Sequence, residues 1–115
     1  MNQYKGEIKA HLGSKERVFR LTFESIVNIE SRTNKSVIDL TTEMAKGKYS
    51  FKDLLIILHE GLLGAKNNIL QEAVGDMIME SGIVKASETA GVVLASAFTG
   101  NKKDDKDPLV GAENK

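Results

Sequence analysis

The two histidines are the first residues to consider for chemistry. His59 stands next to Glu60 in a helical pattern, but a zinc protease helix needs a second histidine four residues further on, so that both imidazoles face one metal. That position is Leu63, so the zinc motif is incomplete. His11 lies in a strand pattern beside a turn. We expect both to be ordinary, partly exposed residues, and we predict no metal site.

Carboxylates and hydroxyls are the next candidates, because paired carboxylates can act as general acid and base. The sequence offers Glu24 with Glu30 and Asp39 with Glu43, but Asp39 and Glu43 fall at helix caps and on polar helix faces, where acidic residues are common. Three serines lack suitable histidine and acid partners: Ser25, Ser31 and Ser36. The absence of cysteine excludes a thiolate nucleophile and a disulfide. We therefore predict a protein that is not an enzyme and needs no cofactor.

The sequence contains no glycine-rich phosphate-binding loop that we can recognise. The stretch Gly61-Leu62-Leu63-Gly64 lacks the Lys-Ser/Thr pair that must follow a phosphate loop. We expect these glycines to weaken the last turn of a helix and to let the chain turn after it. No small-molecule substrate is expected.

Length and charge limit the function further. The chain has 115 residues, 41% of them apolar, which suits one domain with one modest core. Its 16 basic residues are balanced by 16 acidic ones, whereas nucleic-acid binding favours a basic excess. The longest uncharged stretch, residues 89–101, is too short to span a membrane. We expect a cytoplasmic protein that binds neither nucleic acid nor membrane.

The elements that carry these residues begin with a hairpin. Apolar and polar residues alternate through GEIKAHL and RVFRLT on either side of a Gly-Ser turn. Three short helical patterns follow. The first is expected to bury Phe23, Ile26 and Val27. The second begins at Ser36 and ends at Gly47, and the third begins at Ser50, since each serine has an aspartate three residues on. The third helix carries the strongest apolar stripe, so we expect it at the centre of the core.

The remaining sequence predicts two more helices and a tail. A fourth helix closes at Ser81-Gly82, and a fifth runs from Ile83 to about Thr99. The second half of the fifth helix is apolar or small nearly all round, so it lies either in the core or under a partner. Residues 101–115 are highly charged and predict a disordered tail. The fold class is α+β: a hairpin packed on about five short helices, in a single domain over residues 1–100.

Several short segments follow one another in a recognisable order and spacing. They are Gly6-Glu7, Leu12-Gly13, Arg20-Leu21-Thr22-Phe23, Ile29-Glu30, Arg32-Thr33, Lys35-Ser36, Gly61-Leu62, Gly64-Ala65, Val74-Gly75-Asp76 and Ile78. Together they resemble the small tail assembly chaperone family of tailed phages and gene transfer agents, a family that also carries the label of tail tube protein. The similarity covers roughly residues 5–98.

The resemblance implies a non-enzymatic role in the cytoplasm of the bacterial host. Such a chaperone binds the tape measure protein, keeps it soluble and helps the tail tube to assemble around it. The tail tube protein and a second copy of the chain are further expected partners. The alternative is a structural tail component, a tube or connector subunit.

A chaperone for a helical client needs apolar surface that its own fold can spare. The third and fifth helices supply the candidates for partner binding: Leu55, Ile56, Leu62, Leu63, Val92, Val93, Leu94 and Phe98.

Overall fold

A computed structural model describes residues 6–99. Its elements run in the order β1 (Ile8–Leu12), β2 (Lys15–Phe19), α1 (Phe23–Thr33), α2 (Val37–Lys46), α3 (Phe51–Gly64), α4 (Gln71–Ser81) and α5 (Ile83–Ser96). The predicted α+β architecture, a hairpin with five helices, is confirmed. The predicted tail at 101–115, and with it the boundary near residue 100, lies outside the described residues.

The two strands form an antiparallel pair that is joined by the tight turn at Gly13-Ser14. Ile8 pairs with Phe19 and Leu12 pairs with Lys15. Gly13 adopts a φ of +73°, in the left-handed region that a side chain disfavours. Leu12 and Phe19 are fully buried. The hairpin therefore packs one face on the helices, which an isolated two-stranded sheet requires for stability.

The first three helices begin at hydroxyl caps. The side chains of Thr22, Ser36 and Ser50 each accept a hydrogen bond from the backbone N–H three residues later. Asn34 and Gly47 end α1 and α2 in the left-handed conformation. The boundaries predicted from Ser36, Gly47 and Ser50 are confirmed.

The core is centred on α3, as the sequence predicted. Buried residues occupy more than one face of this helix, among them Leu54, Ile57 and Leu58. The helix contacts α1, α4, α5 and β2. In the part of the chain described, no helix has both the length and the apolar composition needed to cross a bilayer.

The prediction that α1 buries the face of Phe23, Ile26 and Val27 is wrong. Phe23 is 86% exposed and Val27 is 49% exposed, while Ser25, Ile29 and Thr33 point inward. The two inward hydroxyl groups tolerate burial because each is hydrogen-bonded nearby. Thr33 donates to the carbonyl of Ile29 at 2.8 Å, and the hydroxyl of Ser25 lies 2.8 Å from that of Thr22.

Two glycines at the end of α3 allow the hairpin and the strand-to-helix link to approach. A methyl group at Gly61 would lie 3.2 Å from the ring of Phe19 and 3.3 Å from Val93. At Gly64 it would lie only 2.0 Å from the carbonyl oxygen of Arg20, a backbone atom. Gly61 also accepts a hydrogen bond from the N–H of Arg20 at 2.8 Å. The segment GLLG is therefore a close-packing site.

Replacing Gly64 with alanine should destabilise the fold by about 3 kcal/mol or more, since the backbone of Arg20 cannot move aside without displacing β2. Gly91→Ala is the matched control, because no atom lies within 4 Å of its added methyl group. That control should gain about 0.5–1 kcal/mol from helix propensity. Urea unfolding followed by circular dichroism measures both changes. Equal stability of the two variants would contradict the close approach.

Candidate functional site

The eight residues proposed for partner binding divide into a buried and an exposed group. Leu63, Val92 and Phe98 are 37%, 50% and 52% exposed, respectively, and Leu55 is partly buried against the core. Four others have an exposure of 4% or less and belong to the core: Ile56, Leu62, Val93 and Leu94.

The expectation of a surface role for those four residues therefore needs correction. Because α3 is covered by several elements, its apolar residues fill the core on more than one face. On α5, Val93 packs near Gly61 of α3. Only the exposed group can meet a partner without opening the fold.

A polar cluster joins the end of α1 to α3. Arg32 donates to Glu60 Oε2 at 2.7 Å, and the Glu60 side chain is only 6% exposed. Arg32 also donates to the side-chain oxygen of Gln71, the first residue of α4. His59 Nε2 lies 2.9 Å from the carbonyl oxygen of Ile69, and its Nδ1 lies 3.3 Å from Arg32 Nη1. Because guanidinium only donates, these contacts place the ring hydrogen on Nε2.

The turn between α1 and α2 holds a second polar cluster. Lys35 Nζ lies 2.7 Å from Asp53 Oδ2 and 3.0 Å from Glu43 Oε1. These hydrogen bonds, first that to Asp53 and then that to Glu43, raise the pKa of Lys35 above its ordinary value of 10.5. Glu30 accepts from the N–H of Val37 at 2.9 Å and so stabilises the start of α2.

These contacts give a structural role to carboxylates that the sequence suggested as candidates for catalysis. Glu30 and Glu43 are engaged at helix ends, and Asp39 lies in the first turn of α2. Among residues 6–99 no group of three or more His, Cys, Asp or Glu side chains could hold a metal ion. The polar residues of the segments around Arg32 and Lys35 hold helices together.

Phe23, in the segment Arg20-Leu21-Thr22-Phe23, has no such role. Phe23 follows the α1 cap and leaves most of its ring in solvent. Together with Leu63 it lines a surface cavity of about 470 Å³ between the start of α1 and the end of α3. The other lining residues are Thr22, Glu24, Ser25, Asn28, Glu60, Gly64 and Lys66.

Comparison with known families decides the assignment. The family described as "Phage tail tube protein, GTA-gp10" matches residues 5–100. The chain belongs to this family. Membership places it among the tail proteins of phages and gene transfer agents, and the family is described as a tail tube protein, not as a tail assembly chaperone. Among curated proteins and among solved structures, no significant match was found.

The cavity of this GTA-gp10 family member was not predicted, because apolar spacing in the sequence assigns Phe23 to the core. One signal in the sequence points to the correct inner face of α1. Ser25, Ile29 and Thr33 also recur at helical spacing, but a pattern that ranks residues by hydrophobicity alone passes over the two hydroxyl side chains.

The ion pair between Lys35 and Asp53 should make the free energy of unfolding depend on pH in the alkaline range. Because the folded-state pKa of Lys35 is raised, its contribution is fully present below about 10.5, the unfolded value, and is lost as the pH rises through the folded value. We expect the stability difference between wild type and Lys35→Gln to shrink over that range in urea unfolding. Lys52→Gln, an exposed lysine on α3, is the control. A difference that does not change with alkaline pH would contradict the ion pair.

Proposed function

We propose that this protein is a structural component of a phage or gene-transfer-agent tail, a tube or connector subunit, and that it has no catalytic activity. The family match over residues 5–100 is the observation that carries the proposal, since the family is described as a tail tube protein. The engagement of Glu30, Glu43 and Glu60 in helix caps and ion pairs is consistent with a binding role.

A tail assembly chaperone is the second candidate, and the hairpin favours it. A sheet that closes a ring between subunits needs strand edges with unpaired backbone groups. Here Thr89 donates to the carbonyl of His11 at 2.8 Å on the β1 edge, and Asn67 donates to the carbonyl of Val18 at 3.0 Å on the β2 edge. Helix α5 also contacts β1. Both edges are thus partly covered in the single chain.

In the chaperone role, the exposed apolar residues would bind the tape measure protein in the host cytoplasm. Leu63, Val92 and Phe98 remain candidates for that contact, with Leu55 at its margin. The tail tube protein and a second copy of the chain are the other partners that this role proposes. An apolar surface that is spared by the fold is what a transient helix-binding protein requires.

Quantitative mass spectrometry of purified particles separates the two functions. A structural subunit should be recovered from washed particles at a fixed ratio to the other tail proteins. A chaperone should be abundant in the lysate and absent from the particles, while its deletion should yield particles without tails. Both functions would be contradicted if the deletion strain made normal tails and if particles from the wild-type strain also lacked the chain. Cells that express Gly91→Ala in place of the wild type control for the effects of genetic replacement.

A further inference from the structure

The cavity between Phe23 and Leu63 combines an apolar rim with polar groups at its base. Phe23 is 86% exposed and Leu63 is 37% exposed, whereas Ser25 is 3% exposed and Glu60 is 5% exposed. All four residues line the same cavity of about 470 Å³. A binding site needs apolar contact area and polar groups that select the ligand. Here Phe23 and Leu63 supply the apolar area among mostly polar lining residues.

The buried carboxylate of Glu60 retains hydrogen-bonding capacity toward the cavity. Its Oε2 atom accepts from Arg32 at 2.7 Å, but its Oε1 atom has only the amide of Asn28 at 3.4 Å, beyond the usual range. An ionised carboxylate can accept about four hydrogen bonds. A donor that enters the cavity can therefore bond Glu60 without breaking the contact with Arg32.

The acceptors around the cavity favour a ligand group that only donates hydrogen bonds. Glu24 and Glu60 line the cavity together with one cation, Lys66, and Arg32 pairs with the Oε2 atom of Glu60. The remaining acceptors are the Oε1 atom of Glu60 and the hydroxyl of Ser25. A planar guanidinium group, which has five N–H donors and no acceptor, can bond both of them.

We propose that this cavity binds an arginine side chain of a partner protein, presented between apolar residues. The guanidinium group would donate to Glu60 Oε1 and to the hydroxyl of Ser25, and its plane would stack against the exposed ring of Phe23. Leu63 would contact the apolar residues beside the arginine. The proposal goes beyond the tail role, because it names the chemistry that this surface recognises.

The test uses the full chain and a fluorescent, alanine-based helical peptide that carries two leucines and one arginine. A second peptide has glutamine in place of the arginine. Fluorescence anisotropy should give at least about tenfold tighter binding of the arginine peptide. Phe23→Ala and Glu60→Gln should each abolish this preference. Val84→Ala, which removes an apolar side chain that is 69% exposed on α5, should retain it.

Phe23→Ala keeps the test decisive if Glu60→Gln disturbs the fold, because the Phe23 ring contributes little to the core. Circular dichroism of each variant establishes that it is folded. Equal affinity for the two peptides, no binding of the arginine peptide, or a preference that survives in Phe23→Ala would overturn the proposal. Because no particle is involved, this result is independent of the test of the tail role.

Discussion

Two positive charges at the end of α1 meet two buried carboxylates of α3, and the fold depends on this pairing. Arg32 reaches Glu60, and one turn of chain later Lys35 reaches Asp53. A carboxylate that is removed from water without a partner carries a large free-energy penalty. If α1 moved along α3 or away from it, the buried carboxylates would lose their partners and the fold would incur that free-energy penalty. The pairs therefore favour one placement of α1 and, through the Lys35 turn, one exit direction for α2.

The same helix pair also determines how the hairpin is attached. The chain leaves β2 at Arg20, whose N–H bonds Gly61 and whose carbonyl oxygen fills the space where a side chain at Gly64 would lie. The end of α3 thus holds both the exit of the hairpin and the entrance of α1. As a result, the short segments by which the chain resembles its family mostly describe how three elements meet. Phe23 is the exception, because its ring is directed to solvent at this junction.

The sequence predicted local features well because they depend on local chemistry. Ser36 and Ser50 form caps with backbone groups three residues away, and the left-handed end at Gly47 needs only a glycine. The apolar stripe of α3 identified the centre of the core. The exposure of the residues proposed for partner binding was predicted poorly, since periodicity cannot reveal how many neighbours a helix has. Ile56 and Leu62 on α3 and Val93 and Leu94 on α5 are covered by tertiary contacts that sequence spacing does not encode.

The most direct test of this account is a double-mutant cycle between Arg32 and Glu60, measured by urea unfolding. Arg32→Met alone should leave Glu60 without its cation and lower the free energy of unfolding by about 3 kcal/mol. This is at the lower end for a broken buried pair, because Arg32 is partly exposed. Adding Glu60→Met should restore much of that loss, giving a coupling energy above about 1.5 kcal/mol. Additive losses in the double variant would contradict the claim that this pairing holds α1 on α3.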